Sequence, residues 1–480
     1  MINRQIMSNS SVSRTYIQET PSTLLAWIVI SVFILFTSLC IAIGAGSIFR
    51  PGYIALSLAI AIFFYLRYPT FYIGFTWWIW FLTPLISRLI DYRSGFDESR
   101  LILLSQYLVS LVPIYTFFRD LPKSYRQGGL PFILGFLGVL YGFLIGLVKT
   151  SPMTAARSML DWFTPIPFAF YLFINWRNYP QYRQSIQRTF LWGVLVMGTY
   201  GIVQYLIAPD WDRFWLISTK LTSFGDPVPL GLRVWGTQSS PGPFAVTMMT
   251  GLLLLLNATG LFSFAAAGVG YLSFLLTMVR TLWGCWFVGL LTMFSSLKPR
   301  LQMRLIVTIL VIAICVIPLV TMEPFADAIN SRLQTLTNLE KDDSAKVRQK
   351  IYEEGIGKAL TNGLGNGIGN TFVVDKDGIL RPIVIDSGIL DMFFTLGWFG
   401  AIFYLGGLIL VLHQILQYTE FRFDSFMAAC RSIVIGCFAA LPGGSVMLGL
   451  SGIILWCFIA LAIAGHKYYV HQRITNNLYS

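Results

Sequence analysis

The chain consists mainly of apolar stretches long enough to cross a membrane, separated by short polar segments. A stretch of about 17–25 apolar residues spans the hydrocarbon core of a bilayer as a helix. Apolar residues make up 55% of the 480 residues and charged residues only 12%, with a mean hydropathy of +0.67. Soluble domains are about a quarter charged. The sequence therefore predicts an all-α polytopic integral membrane protein and excludes a soluble enzyme, a disordered chain and a disulfide scaffold.

We count 14 candidate spans, which form one transmembrane domain over residues 23–465, flanked by polar tails at 1–22 and 466–480 that we expect to be mobile. The segment 387–415 is too long for one perpendicular span, so we expect a tilt, a kink or a partly re-entrant start. The predicted spans are 23–43, 51–66, 69–87, 101–118, 131–148, 159–176, 189–207, 241–258, 261–279, 282–296, 304–322, 387–415, 430–446 and 449–465.

The distribution of Lys and Arg predicts that both termini are cytoplasmic. With that orientation, the short loops carry 16 of the 34 basic residues inside and 10 outside, as the positive-inside rule requires. Two long loops, 208–240 and 323–385, then lie outside. The formal net charge of +12 belongs to the cytoplasmic face, where anionic lipid attracts it. The basic balance is therefore a topology signal and does not indicate a nucleic-acid partner.

The second long loop contains a predicted surface helix, 344–360. Ser344 suits its N-cap, and Val347 and Ile351 lie four residues apart on one face. The glycine-rich run 363–369 ends this helix. It lacks the preceding strand, the GK[ST] ending and the soluble helix of nucleotide-binding loops, so we interpret it as a tight turn.

The loop 208–240 combines aromatic rings with cations, among them Trp235 beside Arg233. Flat rings stack on sugars and guanidinium groups bind phosphate oxygens, so this pair suits a sugar chain that carries phosphate. The alternative is an interfacial aromatic belt without a ligand, and for Trp211 and Trp215 we favour that alternative.

Arg280 is the one charged residue between Leu261 and Ser296 and should lie at the outer turn of a helical hairpin. A charge so close to the membrane interior indicates a functional site, although an arginine that snorkels to the surface is the alternative. In the second loop, Lys346, Arg348 and Arg381 are further candidate cations.

Two acids open the predicted span at 387–415, Asp386 and Asp391. On a helix they would lie about 140° apart, so they do not form a carboxylate pair. Six scattered cysteines in or beside apolar segments and three scattered histidines predict neither a metal site nor a redox site.

Three elements resemble the O-antigen polymerase and ligase superfamily of bacterial membrane glycosyltransferases, over roughly residues 190–415. Arg233-Val-Trp-Gly-Thr-Gln-Ser-Ser-Pro is similar to R-x-x-G-T-x-x-x-P. Leu276-Thr-Met-Val-Arg280-Thr-Leu-Trp-Gly is similar to T-x-S-R-[GT]-x-W/G, with Val279 in place of the serine. The third element comprises Arg348, Asn362-Gly-Leu-Gly-Asn-Gly-Ile-Gly, Asp386-Ser-Gly-Ile-Leu and Leu396-Gly-Trp-Phe-Gly.

The resemblance implies extracytoplasmic glycosyl transfer in the bacterial inner membrane, without metal or cofactor. The donor would be a polyprenyl-pyrophosphate-linked saccharide and the acceptor a glycan, with other polysaccharide-assembly membrane proteins as partners. Ligases of the family carry histidine where this chain has Asp386, which favours the polymerase-like branch. The implied catalytic residues are Asp386 as base and Arg280 and Arg348 on the pyrophosphate; the implied substrate-binding residues are Arg233, Trp235, Arg381, Lys346 and Asp391.

Two other functions stay open from the residues alone. A solute transporter, such as a bicarbonate carrier, would place charges at mid-bilayer in broken helices, and a lipid-linked oligosaccharide flippase would need a charged central cavity. The charges of this chain concentrate in the outer loops and at span ends, which favours chemistry at the outer surface.

Overall fold

The computed structural model describes residues 23–256, 258, 260–323, 325–326, 357, 361–370, 372–374, 380–382 and 387–479. The predicted surface helix and three of the candidate residues, Lys346, Arg348 and Asp386, lie outside this part of the chain. Arg381 is described through its backbone alone.

The described chain is almost entirely α-helical, and we number its helices in chain order. The N-terminal helices are α1 (Thr23–Ile43), α2 (Gly46–Arg67), α3 (Pro69–Ser94), α4 (Leu104–Ser110), α5 (Ile114–Ser124), α6 (Leu130–Lys149), α7 (Pro152–Phe163), α8 (Pro165–Ile174) and α9 (Tyr179–Ile207). The remaining helices are α10 (Asp210–Thr219), α11 (Pro241–Leu255), α12 (Leu261–Leu276), α13 (Arg280–Ser296), α14 (Pro299–Thr321), α15 (Gly388–Gln417), α16 (Ser425–Ala440) and α17 (Gly449–Tyr479).

A short hairpin in the second long loop was not predicted. Strands β1 (Phe372–Val374) and β2 (Leu380–Pro382) pair antiparallel, with Val373 opposite Arg381. It is the one sheet within the described residues, so the all-α class holds for the body of the protein.

Eight of the described helices are long and apolar enough to cross a membrane, or nine if the bent pair α4–α5 forms one span. That pair bends by 42° at Pro113, which cannot continue the hydrogen-bond ladder of α4. Each of the 14 predicted segments contains helix, but α11 and α12 are only 15 and 16 residues long. The structure is therefore that of an all-α membrane protein, whereas the number of fourteen spans remains a prediction.

The kink expected in the long segment 387–415 is confirmed. Helix α15 is interrupted at Gly397, whose φ of 67° and ψ of −177° are not helical. Glycine tolerates this left-handed φ because it has no Cβ. The break leaves carbonyl groups in the preceding turn free to accept hydrogen bonds from another segment.

The helices pack around α17. In its most apolar stretch 89% of the residues are buried, whereas in the most apolar stretch of α1 only 17% are buried. Helix α1 is therefore peripheral and exposes its apolar side chains, as a lipid-facing helix does. The closest helix pair is α6 with α15, where a Cβ on Gly138 would lie 2.6 Å from the carbonyl oxygen of Gly400. Small residues at such crossings let backbones approach closely in membranes.

The contacts define two opposite ends of the bundle. At the end that we call the loop end, residues 208–240 meet the C-terminal end of α3 and the α12–α13 turn. At the other, the tail end, the α15–α16 connection meets α9 and the C-terminal part of α17. Residues 466–479 thus continue α17 as helix, where we expected a mobile polar tail, because Glu420 accepts hydrogen bonds from His466 and Arg473.

Candidate functional site

A buried ion pair organises the loop end. Arg88 near the C-terminus of α3 lies 2.7 Å from Asp212 on α10, measured from Nε to Oδ1, and their side chains are 1% and 0% exposed. Asp212 also accepts hydrogen bonds from the Tyr200 hydroxyl at 2.7 Å and from Gln204 Nε2 at 2.8 Å. Hydrogen bonds of this kind offset the desolvation of a buried charge.

The same side chains fix the backbone of the first motif, residues 233–241. The guanidinium group of Arg88 donates to the carbonyl oxygens of Gly236, at 2.6 Å, and Gln238. Gln204 on α9 accepts from the backbone N–H groups of Trp235, at 3.0 Å, and Gly236, at 2.8 Å. Two helices, α3 and α9, therefore hold one short stretch of irregular backbone, whose polar groups would otherwise be unsatisfied.

Trp235 does not offer a surface for stacking on a sugar, contrary to the prediction. Its side chain is fully buried, with ring centroids 5.8 Å from Trp215 and 5.3 Å from Phe224. These rings form a small core beneath the loop together with Ala208, Leu216 and Leu232. Burial of apolar surface explains this aromatic cluster without a ligand.

Arg233 joins the first motif to the second. The half-buried side chain donates from Nε to the carbonyl oxygen of Thr277 at 3.3 Å and from Nη1 to that of Ser223 at 3.1 Å. The backbone N–H of Val234 donates to Leu276 at 3.0 Å. The two motifs are therefore in direct contact, although Arg233 and Thr277 are 44 residues apart in the chain.

Arg280 lies at the hairpin turn where we expected it. The turn between α12 and α13 contains Met278 with a positive φ of 56°, and Arg280 is the first residue of α13 and is half-buried. A cation at a helix N-terminus opposes the helix dipole, and both favour an anion at that position.

A glycine-containing segment, 441–445, lies between the starts of α13 and α15. A Cβ on Gly443 would lie 2.6 Å from Thr281 Cγ2, and a Cβ on Gly388 would lie 2.7 Å from the carbonyl oxygen of Gly444. The segment therefore contacts the residue that follows Arg280 on one side and α15 on the other.

Asp391 secures this segment, so a substrate-binding role is not what its contacts indicate. One carboxylate oxygen accepts from the Ser445 hydroxyl and the other from the Thr395 hydroxyl, both at 2.8 Å. With both oxygens hydrogen-bonded inside the protein, Asp391 positions residues 441–445 against α15.

The N-cap of α15 is Ser387, whose hydroxyl accepts from the backbone N–H of Leu390 at 3.4 Å. Asp386 directly precedes this cap in the chain. Because Ser387 already caps α15, the helix does not need the side chain of Asp386 as its N-cap.

The glycine-rich run lies inside the bundle, between α6 and the break in α15. Backbone N–H groups of Asn366 and Gly367 donate to the carbonyl oxygens of Phe394, at 2.7 Å, and Thr395, at 3.0 Å, which the break leaves free. Gly367 has a φ of 84°, and a Cβ there would lie 2.4 Å from the backbone nitrogen of Gly146. The run is therefore a packed turn that ties the end of the second long loop to the membrane domain.

A surface acid at the loop end stays ionised. Burial tends to raise the pKa of Asp97, but hydrogen bonds from the Ser99 hydroxyl and from the backbone N–H groups of Leu101 and Ser99 lower it overall. A carboxylate with a lowered pKa is a poor proton acceptor near pH 7. Asp97 is therefore not a candidate general base.

Sequence reasoning missed Arg88, Gln204 and Asp212. The available signals were an amide inside the apolar span 189–207 and an arginine at the end of the span 69–87. Neither signal identifies the residue with which the side chain pairs, because the ion pair joins residues that are far apart in the chain.

Comparison with known proteins gives no match: no family model matches the chain, and no curated protein matches it. Within the described residues, no group of three or more His, Cys, Asp or Glu side chains is arranged to hold a metal ion.

Proposed function

We propose that the loop end transfers glycosyl units from a polyprenyl-pyrophosphate-linked saccharide to an acceptor sugar, and so polymerises repeat units of an exopolysaccharide or O-antigen. One observation carries the proposal: the described parts of the motif elements that resemble the O-antigen polymerase and ligase superfamily meet at one end of the bundle. Arg233 contacts Thr277, and the segment 441–445 joins Thr281 to Gly388. A site shared by these elements would require this proximity.

The chemistry of this end suits a pyrophosphate leaving group. Arg280 combines a guanidinium group with the N-terminus of α13, and charge-assisted hydrogen bonds from arginine stabilise phosphate oxygens as the glycosidic bond breaks. Arg233 holds the α12–α13 turn that carries Arg280. On the family pattern, Arg348 and Lys346 of the second loop add charge, and Asp386, directly before α15, accepts the proton of the acceptor hydroxyl.

We also propose that the loop end is extracytoplasmic and that both termini of a fourteen-span chain in a bacterial inner membrane are cytoplasmic. In a cysteine-free background, a membrane-impermeant thiol reagent should label Ser223→Cys in intact spheroplasts and should not label Gln472→Cys. These two exposed positions lie at opposite ends of the bundle. Labelling of Gln472→Cys alone would invert the orientation and overturn the proposal.

The function is tested by deleting the gene and isolating the surface polysaccharide. Loss of long chains, with single repeat units still present, is the expected result, and the wild-type gene should restore the long chains. Unchanged polysaccharide with altered carbon uptake would instead identify a transporter. Loss of single repeat units attached to their final acceptor would identify a ligase.

A further inference from the structure

The tail end contains a cleft that the proposed function does not use. It lies between the end of α5, the residues that follow α8, and the C-terminal part of α17. Its lining combines three cations with three aliphatic side chains: Lys123, Arg177, Lys467, Ile174, Val470 and Ile474.

The positive charge of this cleft is compensated only in part within the described residues, where Asp120 interacts electrostatically with Lys123. The structure gives Lys123, Arg177 and Lys467 no ion pair with any described carboxylate. The acid in the lining, Asp120, is engaged by the neighbouring Arg119, whose Nε and Nη2 donate to its two oxygens at 3.1 and 2.7 Å. The cleft therefore presents net positive charge to a ligand.

Lys467 is the most informative of the three cations. Its ammonium nitrogen is buried, has no hydrogen-bond acceptor among the described residues, and lies 3.7 Å from the centre of the Phe173 ring. A ring face compensates part of the desolvation of an ammonium group, but it does not replace a hydrogen-bond acceptor. The site therefore favours an anion that supplies one.

The histidine beside Lys467 is already engaged. His466 Nδ1 lies 3.0 Å from Glu420 Oε2, and its ring stacks on Tyr418 with centroids 3.9 Å apart. Glu420 therefore faces His466 and Arg473, and its charge is not directed at Lys467.

The aliphatic part of the lining distinguishes an amphipathic ligand from a free ion. Ile174, at the end of α8 and within the predicted span 159–176, shares the cleft with the cations, whereas Val470 and Ile474 lie beyond Lys467 toward the end of α17. The guanidinium carbon of Arg177 lies 5.1 Å from the centre of the Trp176 ring. Tryptophan is enriched at membrane interfaces. Basic pockets between membrane helices bind the head groups of anionic lipids.

We propose that this cleft binds an anionic phospholipid, with its phosphate on Lys123, Arg177 and Lys467 and its acyl chains running past Ile174 into the bilayer. The inference does not depend on the proposed glycosyl transfer. Bound lipid would connect α5, α8 and α17 at an end where polar side chains otherwise make the connections.

The test uses the purified full-length protein in neutral detergent, with native mass spectrometry and thermal unfolding as readouts. We expect dioleoyl-phosphatidylglycerol to bind and to raise the unfolding temperature, and dioleoyl-phosphatidylcholine or inorganic phosphate to do neither. The double variant Lys123→Gln/Arg177→Gln should weaken phosphatidylglycerol binding about thirtyfold, since each of the two removed cations contributes about 1 kcal/mol near an anionic lipid.

A charge-matched control is Lys298→Gln/Arg422→Gln, which removes two exposed cations at the same end but outside the cleft. This control should bind phosphatidylglycerol as the wild type does. An equal loss of phosphatidylglycerol binding in both double variants would show that the effect comes from general surface charge and would overturn the proposal. Wild-type binding by the cleft variant, or stabilisation by inorganic phosphate to the same extent as by lipid, would overturn it as well.

Discussion

Replacing Asp212 by alanine should destabilise the protein by about 3–5 kcal/mol, because it leaves a buried guanidinium group without its counter-charge. Arg88 is 1% exposed and has no route to water without disturbing α3 and α10. The change also removes the acceptor of Tyr200 and Gln204. Thermal unfolding of the purified protein in detergent measures the loss.

The matched control is Asp210→Ala, two residues earlier on the same helix. Asp210 pairs with Arg213 at 3.4 Å, but these side chains are 68% and 45% exposed. Exposed pairs contribute little, so this change should alter stability by less than about 1 kcal/mol. If Asp212→Ala and Asp210→Ala unfolded at the same temperature, the buried pair would have no special role. A double variant, Arg88→Met/Asp212→Leu, should recover part of the stability because it leaves no unpaired charge.

The helical body of this protein could be predicted from sequence because a bilayer allows few solutions. Backbone groups in the hydrocarbon core must bond within the segment, so long apolar stretches become helices. The length of segment 387–415 predicted a tilt, a kink or a partly re-entrant start, and the structure has the kink, at Gly397. The number of crossings is harder to predict, because helices such as α11 and α12 are apolar yet short.

The surroundings of the candidate site could not be predicted in the same way. The pairing of Arg88 with Asp212 depends on the packing of α3, α9 and α10, which no local pattern encodes. The bonds of Arg88 and Gln204 to the motif backbone depend on the same packing. For Trp235 the sequence predicted a ligand-binding role that the structure does not support. A tryptophan beside arginine in a polar loop suggests a ligand surface, but the loop has its own small core, and the ring fills it.

The glycine-rich run could have been placed with one further signal. Helix α6 carries Gly138, Gly142 and Gly146 at intervals of four, which form a groove on one face. Ile368 donates its backbone N–H to the carbonyl oxygen of Gly142 at 2.9 Å within that groove. The spacing predicts a close neighbour but does not say that the neighbour is an irregular turn from a distant loop.

Arg280→Ala should lower the rate of chain extension by about 10²–10³-fold, the usual cost of removing one donor that stabilises charge in a transition state. The prediction rests on the proposed glycosyl transfer. Arg280→Lys should recover the rate only in part, because an ammonium group lacks the planar fork that binds two phosphate oxygens at once. The measurement is polymer length and rate in the deletion strain that expresses each variant, with lipid-linked repeat units as donor.

Arg422→Ala provides the control, as an exposed arginine at the opposite end of the bundle that should leave chain extension unchanged. Expression and thermal unfolding of each variant separate a catalytic effect from a folding effect, because Arg280 is only half-buried at the start of α13. A folded Arg280→Ala protein that extends chains at the wild-type rate would make Arg280 a snorkelling anchor of the α12–α13 turn. The pyrophosphate would then have to be bound by residues of the second long loop, such as Arg348.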